Sequence, residues 1–169
     1  MDSKILLVDD EKDIADLIEE VLRQDSFENI KKVYTGMDAV QVCREYQPDV
    51  VVLDIMLPDI DGIEVCRQIR EFSFCSILFL SSKNDDIDKI LGLSCGGDDY
   101  ITKPFSPREI VYRIKAQLRR QQYQIRLSVR NGYMNRCGGN TAAFVIIQSW
   151  YIFAIFGKRL KIPRQPRNN

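Results

Sequence analysis

The sequence predicts an α/β domain over residues 1–120, a parallel five-stranded sheet doubly wound by helices, followed by a short atypical tail at 121–169. Two observations predict it. The apolar runs KILLV (4–8), VVVL (50–53) and ILFL (77–80) are continuous rather than alternating, as strands covered by helices on both faces must be. Between them, apolar residues recur at helical spacing: Ile14, Leu17, Ile18, Val21 and Leu22, then Ile63, Val65, Cys66 and Ile69, then Ile87, Ile90 and Leu91, and last Ile110, Val111, Ile114 and Leu118. Parallel strands need crossovers, and a helix is the usual one.

In chain order, a first strand near 4–8 leads to a helix near 11–24. The second strand, near 30–34, carries Lys31 and Lys32 and suits a sheet edge, where charge discourages pairing with other chains. A helix near 36–46 follows, with Gly36 at its start. The third strand, near 49–53, precedes a helix near 61–71 that opens at Gly62. The fourth strand is placed near 76–80 and the next helix near 85–95. A fifth strand near 99–102 precedes a helix near 106–120, where Ser106-Pro107 reads as an N-cap followed by proline at the first helical position.

Four short motifs finish these strands: Asp9-Asp10, Asp54, Ser81 and Lys103. In such a sheet ligands bind beyond the carboxyl ends of the strands, which gathers these residues at one rim. Taken singly each has an ordinary role, the acids as helix caps and Ser81 and Lys103 as surface residues. Together they describe a phosphoryl-transfer pocket. Carboxylates a few ångströms apart raise one another's pKa unless a cation is present, and a small hard cation with oxygen ligands, Mg²⁺, relieves the repulsion. Asp54 is then the nucleophile, and Asp10 and Asp54 hold Mg²⁺ directly, with Asp9 acting through water. Lys103 supplies an ammonium to the phosphoryl group and Ser81 a hydroxyl hydrogen bond.

The blocks ILLVDDE (5–11), VVLDIMLPDIDG (51–62), ILFLSSK (77–83) and GGDDYITKPFSPREIVYRIKAQLRR (96–120) resemble, in order, those of the receiver domain of bacterial two-component response regulators. The resemblance implies a flavodoxin-like (βα)5 fold, a phospho-acceptor at Asp54 and Mg²⁺ on Asp9, Asp10, Asp54 and the backbone carbonyl of Met56. It also implies switch residues at Ser81 and Lys103, with Tyr100 rotating inward as Ser81 moves toward the phosphate. Serine stands at 81 where threonine is commoner in the family. The implied phosphoryl donor is the phosphohistidine of a sensor histidine kinase; this chain contains no histidine and sits on the receiving side. The last block resembles the OmpR/PhoB branch. That likeness implies a homodimer, formed on phosphorylation, through the segments 85–95, 99–102 and 106–120, a face carrying Lys89, Asp98, Asp99, Glu109 and Arg113.

Charge is unevenly divided. Residues 1–120 hold all 24 acidic and 16 of the 24 basic residues, a net −8, and the tail holds the other 8 basic residues and no acid, a net +8. An OmpR/PhoB regulator continues with a linker and a winged-helix DNA-binding domain, whereas the tail shows no strand meander, helix pair or recognition helix. Three readings of it stay open: a truncated or frame-shifted remnant, a basic extension that contacts nucleic acid, or a segment that touches membrane. The apolar stretch 142–156 is shorter than the roughly 20 residues a span needs, so no stable membrane span is expected.

Two function classes follow. One is a phosphorylation-activated response regulator that controls transcription; the other is a stand-alone receiver, a phosphorelay or protein-binding switch without DNA contact. An enzyme turning over free phosphate esters is not expected, since the pocket accepts phosphate onto its own aspartate. The five cysteines (Cys43, Cys66, Cys75, Cys95 and Cys137) show no CxxC spacing, and the four in helices or beside strands read as buried thiols. Met1-Asp2-Ser3 leads directly into the first strand, without a signal-like segment, and a cytoplasmic protein is expected.

Overall fold

A computed structural model of the chain describes residues 2–82 and 95–134, the last ten of these in backbone only. The elements run β1 (Ile5–Val8), α1 (Lys12–Gln24), β2 (Ile30–Val33), α2 (Gly36–Tyr46), β3 (Val50–Asp54), α3 (Gly62–Arg70), β4 (Ser76–Ser81), β5 (Asp99–Thr102) and α4 (Pro107–Met134). The strands form one sheet in the order β2-β1-β3-β4-β5, and all four pairings are parallel. The lysine-bearing β2 lies at an edge, as its charge requires. The order reverses between β1 and β3, and there the carboxyl ends of the two strands open a crevice.

The continuous apolar runs are explained by two cores. Successive strand residues point to opposite faces. Ile5, Leu7, Val50, Val52, Leu78, Leu80 and Ile101 face Ile18 and Leu22 of α1 and Ile110, Val111 and Ile114 of α4. Leu6, Val8, Val51, Leu53, Ile77 and Phe79 face Ala39 and Cys43 of α2 and Val65, Cys66 and Ile69 of α3. Each fully buried Leu, Ile or Phe side chain contributes about 1.5–3 kcal/mol, so neither face can be polar. Cys43, Cys66 and Cys75 are buried, Cys95 is half-buried, and these four are free thiols.

Helix starts are marked chemically. Thr35 accepts the Asp38 amide at the start of α2, Asp61 accepts the Ile63 amide at the start of α3, and α4 opens on Pro107. One boundary differs from the sequence expectation. The final helix does not stop near 120 but runs on to Met134. Residues 121–131 contain neither proline nor glycine, and their Gln, Arg and Leu are good helix formers. The expected helix near 85–95, Lys89 on it, Cys137 and the rest of the tail lie outside the described residues. Among the described residues no helix is long and apolar enough to cross a membrane. Residues up to Gln121 form one compact unit, which carries the sheet; of the unit that follows, only the helical residues 122–134 are described.

Gly62 positions the functional rim. Its amide donates to Ile55 O at 2.9 Å, bringing the start of α3 onto the end of β3. A Cβ at this position would lie 2.2 Å from the backbone oxygen of Asp54 and 2.8 Å from Cα of Ile55. Both are backbone atoms that cannot rotate away. Gly62→Ala is expected to destabilise the fold by at least about 1–3 kcal/mol, measured by urea unfolding; a change below a few tenths would show that α3 need not approach so closely.

Candidate functional site

The carboxyl ends of β1, β3, β4 and β5 bring Asp9, Asp54, Ser81 and Lys103 to one rim, as expected. Asp54 and Ser81 are the last residues of their strands, while Asp9 directly follows β1 and Lys103 directly follows β5. Asp9, Asp54 and Ser81 are buried. Strand pairing fixes their spacing, since Asp54 lies beside Leu80, Ser81 lies beside Thr102, and the Lys103 amide donates to Ser81 O at 2.7 Å. The Lys103–Pro104 peptide bond is cis.

The ammonium of Lys103 is the hub. Its Nζ donates to Asp54 Oδ2 at 2.7 Å, Asp9 Oδ2 at 3.2 Å and Glu11 Oε1 at 3.3 Å. Each inner carboxylate is also held by an amide two residues on: Met56 N donates to Asp54 Oδ1 at 3.0 Å and Glu11 N to Asp9 Oδ1 at 2.9 Å. Burial works against the charge on Lys103, but Asp54 and Asp9 outweigh it and hold its pKa above the ordinary lysine value. The Asp9 carboxyl is pushed up to about 6, by burial first and then by Asp54, with Lys103 and the Glu11 amide pulling the other way.

Carboxylate oxygens of Asp9, Glu11 and Asp54 lie within 4.8 Å of one another. Three hard oxygen donors at that spacing suit a divalent cation such as Mg²⁺, and burial first, then the Asp54 charge, raise the Asp9 pKa, a cost such a cation relieves. The residues present therefore fit the metal. The third acid of this cluster is Glu11, which the sequence reading missed. Asp10 is exposed and lines a groove with Met56, Pro58, Asp59 and Asp61. Glu11, the N-cap residue of α1, is itself exposed, and its carboxylate meets the rim through its contact with Lys103.

Asp59 is a second residue the sequence reading missed. Its two carboxylate oxygens accept the amides of Gly36 and Met37 at 2.8 and 2.9 Å, and these bonds, Met37 first, hold its pKa below the ordinary value. They pin the loop after Asp54 to the N-terminus of α2, where a negative charge is also favoured by the helix dipole.

Tyr100 is half-buried, with its ring centroid 6.5 Å from that of Phe79. Of the charged residues expected at a dimer face, Asp98, Asp99, Glu109 and Arg113 form contacts within the chain. Arg113 donates to both carboxylate oxygens of Asp99 at 2.9 Å and to Glu109 at 3.0 and 2.8 Å. Asp98 accepts Arg70 Nη2 and the Ile77 amide, both at 2.9 Å.

The Asp9 value has a thermodynamic consequence. The folded chain binds this proton more tightly than the unfolded chain, whose carboxyl titrates near 3.8. The cost of the bare charge is thus fully present above about pH 6 and disappears as pH falls below about 4, a range of two pH units and about 3 kcal/mol. Asp9→Asn is expected to stabilise the metal-free chain at pH 7.5 by about 1–3 kcal/mol and to flatten its stability between pH 4 and 6, read by urea unfolding. Equal stability of the two proteins at pH 7.5 would contradict this electrostatic reading.

Comparison with known proteins agrees with the fold. Residues 5–115 match the response regulator receiver domain family. The response regulator DrrB of Thermotoga maritima, described as an OmpR/PhoB homolog, is 39% identical over 72% of this chain and 54% of its own, with a TM-score of 0.65. The BeF3-activated receiver domain of RstA from Klebsiella pneumoniae is 34% identical over 69% of this chain and 98% of its own, with a TM-score of 0.65. The receiver domain of Francisella response regulator 1452 is 31% identical over 71% of this chain and 99% of its own, with a TM-score of 0.67. With its 2-1-3-4-5 parallel sheet and its acid-lysine rim, the chain belongs to the response regulator receiver domain family.

Proposed function

We propose that this domain is the phosphorylation-activated switch of a two-component system, with Asp54 as the phosphoryl acceptor and a sensor histidine kinase as the donor. The observation that carries the reading is Asp54 itself, a buried carboxylate oriented by the Met56 amide and the Lys103 ammonium. A carboxylate fixed on both oxygens presents a defined lone pair to an incoming phosphorus, and positioning with charge neutralisation is most of the catalysis in phosphoryl transfer. Asp54 attacks the phosphorus of the phosphohistidine, the P–N bond breaks, and an aspartyl phosphate and a free imidazole result.

Asp9, Glu11 and Asp54 are the residues that would hold Mg²⁺, with Asp10 and the Met56 carbonyl beside them. Bound there, the metal supplies positive charge to the phosphoryl oxygens. Lys103 gives its ammonium to the phosphoryl group once Asp54 is esterified, so its contact with Asp54 is exchanged for one with phosphate. Ser81, at the end of β4, donates its hydroxyl, and Tyr100 on the neighbouring strand turns inward behind it. The phosphate biases this two-state element through contacts made in only one state. The face bearing Asp98, Asp99, Glu109 and Arg113 then pairs with a second copy. Its self-contained ion pairs imply that dimerisation re-partners Arg113 rather than adding a free charge. The domain takes phosphate onto itself and is not an enzyme that turns over free esters.

Control of transcription is the output we propose, on the likeness to DrrB, of which this chain spans about half the length. Incubation of the full chain with Mg²⁺ and a small phosphodonor such as phosphoramidate is expected to add one phosphoryl group, located on Asp54 by peptide mass. Chelation of Mg²⁺ and Asp54→Asn are each expected to abolish the gain. An equal phosphate load on Asp54→Asn would refute the assignment.

A further inference from the structure

Asp54 is followed by a loop whose middle is fastened to a different part of the domain. Residues 55–61 join β3 to α3, and backbone hydrogen bonds close the two ends: Ile55 N donates to Leu80 O at 3.1 Å and Gly62 N to Ile55 O at 2.9 Å. Between those ends, Asp59 lays its carboxylate on the N-terminus of α2, where Oδ1 accepts Gly36 N at 2.8 Å and Oδ2 accepts Met37 N at 2.9 Å. A carboxylate that takes one first-turn amide on each oxygen is fixed in both distance and rotation. The sequence leaves room for this contact at Gly36. A Cβ there would lie 2.5 Å from Cγ1 of Ile60 and 2.7 Å from Cγ2 of Val65, so a side chain at 36 must displace Ile60 from the seam. Ile60 instead packs against the core on the α2/α3 face. The neighbouring acid Asp61 has a local task, since its Oδ1 accepts Ile63 N at 2.7 Å and caps α3.

We propose that Asp59 is a positioning residue for phosphoryl transfer: by holding the 55–61 loop on α2 it sets the Met56 backbone, which in turn orients Asp54. The inference rests on Asp54 as the acceptor. Met56 stands three residues before Asp59, and its amide donates to Asp54 Oδ1 at 3.0 Å. The other oxygen of Asp54 is held from the end of β5, by Lys103 Nζ at 2.7 Å. Once Lys103 turns to the phosphoryl group, the Met56 amide is left to aim the acceptor, and its own place depends on where the loop lies. Misplacement of a reacting group by about 1 Å is enough to slow a reaction about 100-fold. The oxygens of Asp59 are engaged on α2, so it acts through the loop and not on the phosphoryl group itself. Two segments that meet neither reactant, the start of α2 and the middle of this loop, thereby enter the geometry of the acceptor.

Two readouts on the full chain test this, the first independent of metal and phosphate. It is amide hydrogen exchange at Met56 in the metal-free protein, followed by NMR. In Asp59→Ala that exchange is expected to quicken about tenfold or more, while the amides of Leu6 and Leu7 in β1 keep their rates. The second readout is the rate at which Asp54 gains a phosphoryl group from phosphoramidate at saturating Mg²⁺, expected to fall about tenfold or more in the same variant. Asp59→Asn keeps one acceptor oxygen for the two amides and is expected to fall between wild type and Asp59→Ala on both readouts. Asp38→Asn, which removes a charge from the first turn of α2, is expected to match wild type. Unchanged exchange at Met56 in Asp59→Ala would overturn the proposal. So would an equal loss of phosphorylation in Asp59→Asn and Asp59→Ala, the mark of an effect of charge alone. If the wild-type chain gains no phosphoryl group on Asp54 while Met56 exchange still quickens in Asp59→Ala, the acceptor assignment fails and the hold of Asp59 on Met56 is upheld.

Discussion

The contact on which the site depends is the Lys103 ammonium held among Asp54, Asp9 and Glu11. Two of those carboxylates, Asp9 and Asp54, have side chains no more than 4% exposed, and charge buried this way needs an opposite charge beside it. The lysine therefore serves two purposes. It sets a positive charge among the buried acids of the rim, and it orients Asp54 through Oδ2. Because Lys103 follows β5 whereas the acids follow β1 and β3, the contact also couples the rim across three strands. Anything that draws the ammonium away from Asp54 is felt at β5, where Tyr100 and the Asp99–Arg113 pair lie.

The scaffold explains why the rim is rigid elsewhere. Gly62 lets α3 begin against the backbone of Asp54, and Asp59 staples the intervening loop to α2. The loop before β5 is tied from the other side by Arg70, which reaches Gly96 O at 2.9 and 2.7 Å and Asp98 at 2.9 Å. Both flanking loops are thus held by side chains on backbone: the Asp59 carboxylate on the Gly36 and Met37 amides, and the Arg70 guanidinium on Gly96 O.

Much of this was legible in the sequence because parallel sheets write their pattern plainly. Both faces of Leu6, Leu7, Val51 and Val52 are covered, so the strands read as unbroken apolar runs, and the strand-end rule then gathered Asp9, Asp54, Ser81 and Lys103 without knowledge of any distance. What the sequence concealed were contacts set by three-dimensional reach. Glu11 rather than Asp10 faces Lys103 because of where α1 begins. Asp59 finds the amides of Gly36 and Met37, and Arg70 finds Asp98, across separations that no periodicity encodes. The extension of α4 past residue 120 had a local signal, the absence of proline and glycine from 121–131.

The central claim is that Lys103 exchanges a carboxylate for a phosphoryl group on Asp54. A structure of the full chain with Mg²⁺ and beryllofluoride, a phosphoryl analogue, tests it most directly. The account predicts density for the analogue on an Asp54 oxygen, Lys103 Nζ within hydrogen-bond distance of a fluorine, and its contact with Asp54 Oδ2 broken. An analogue bound away from Asp54, or a Lys103 still paired with Asp9 and Asp54 while the analogue sits on the acceptor, would contradict it.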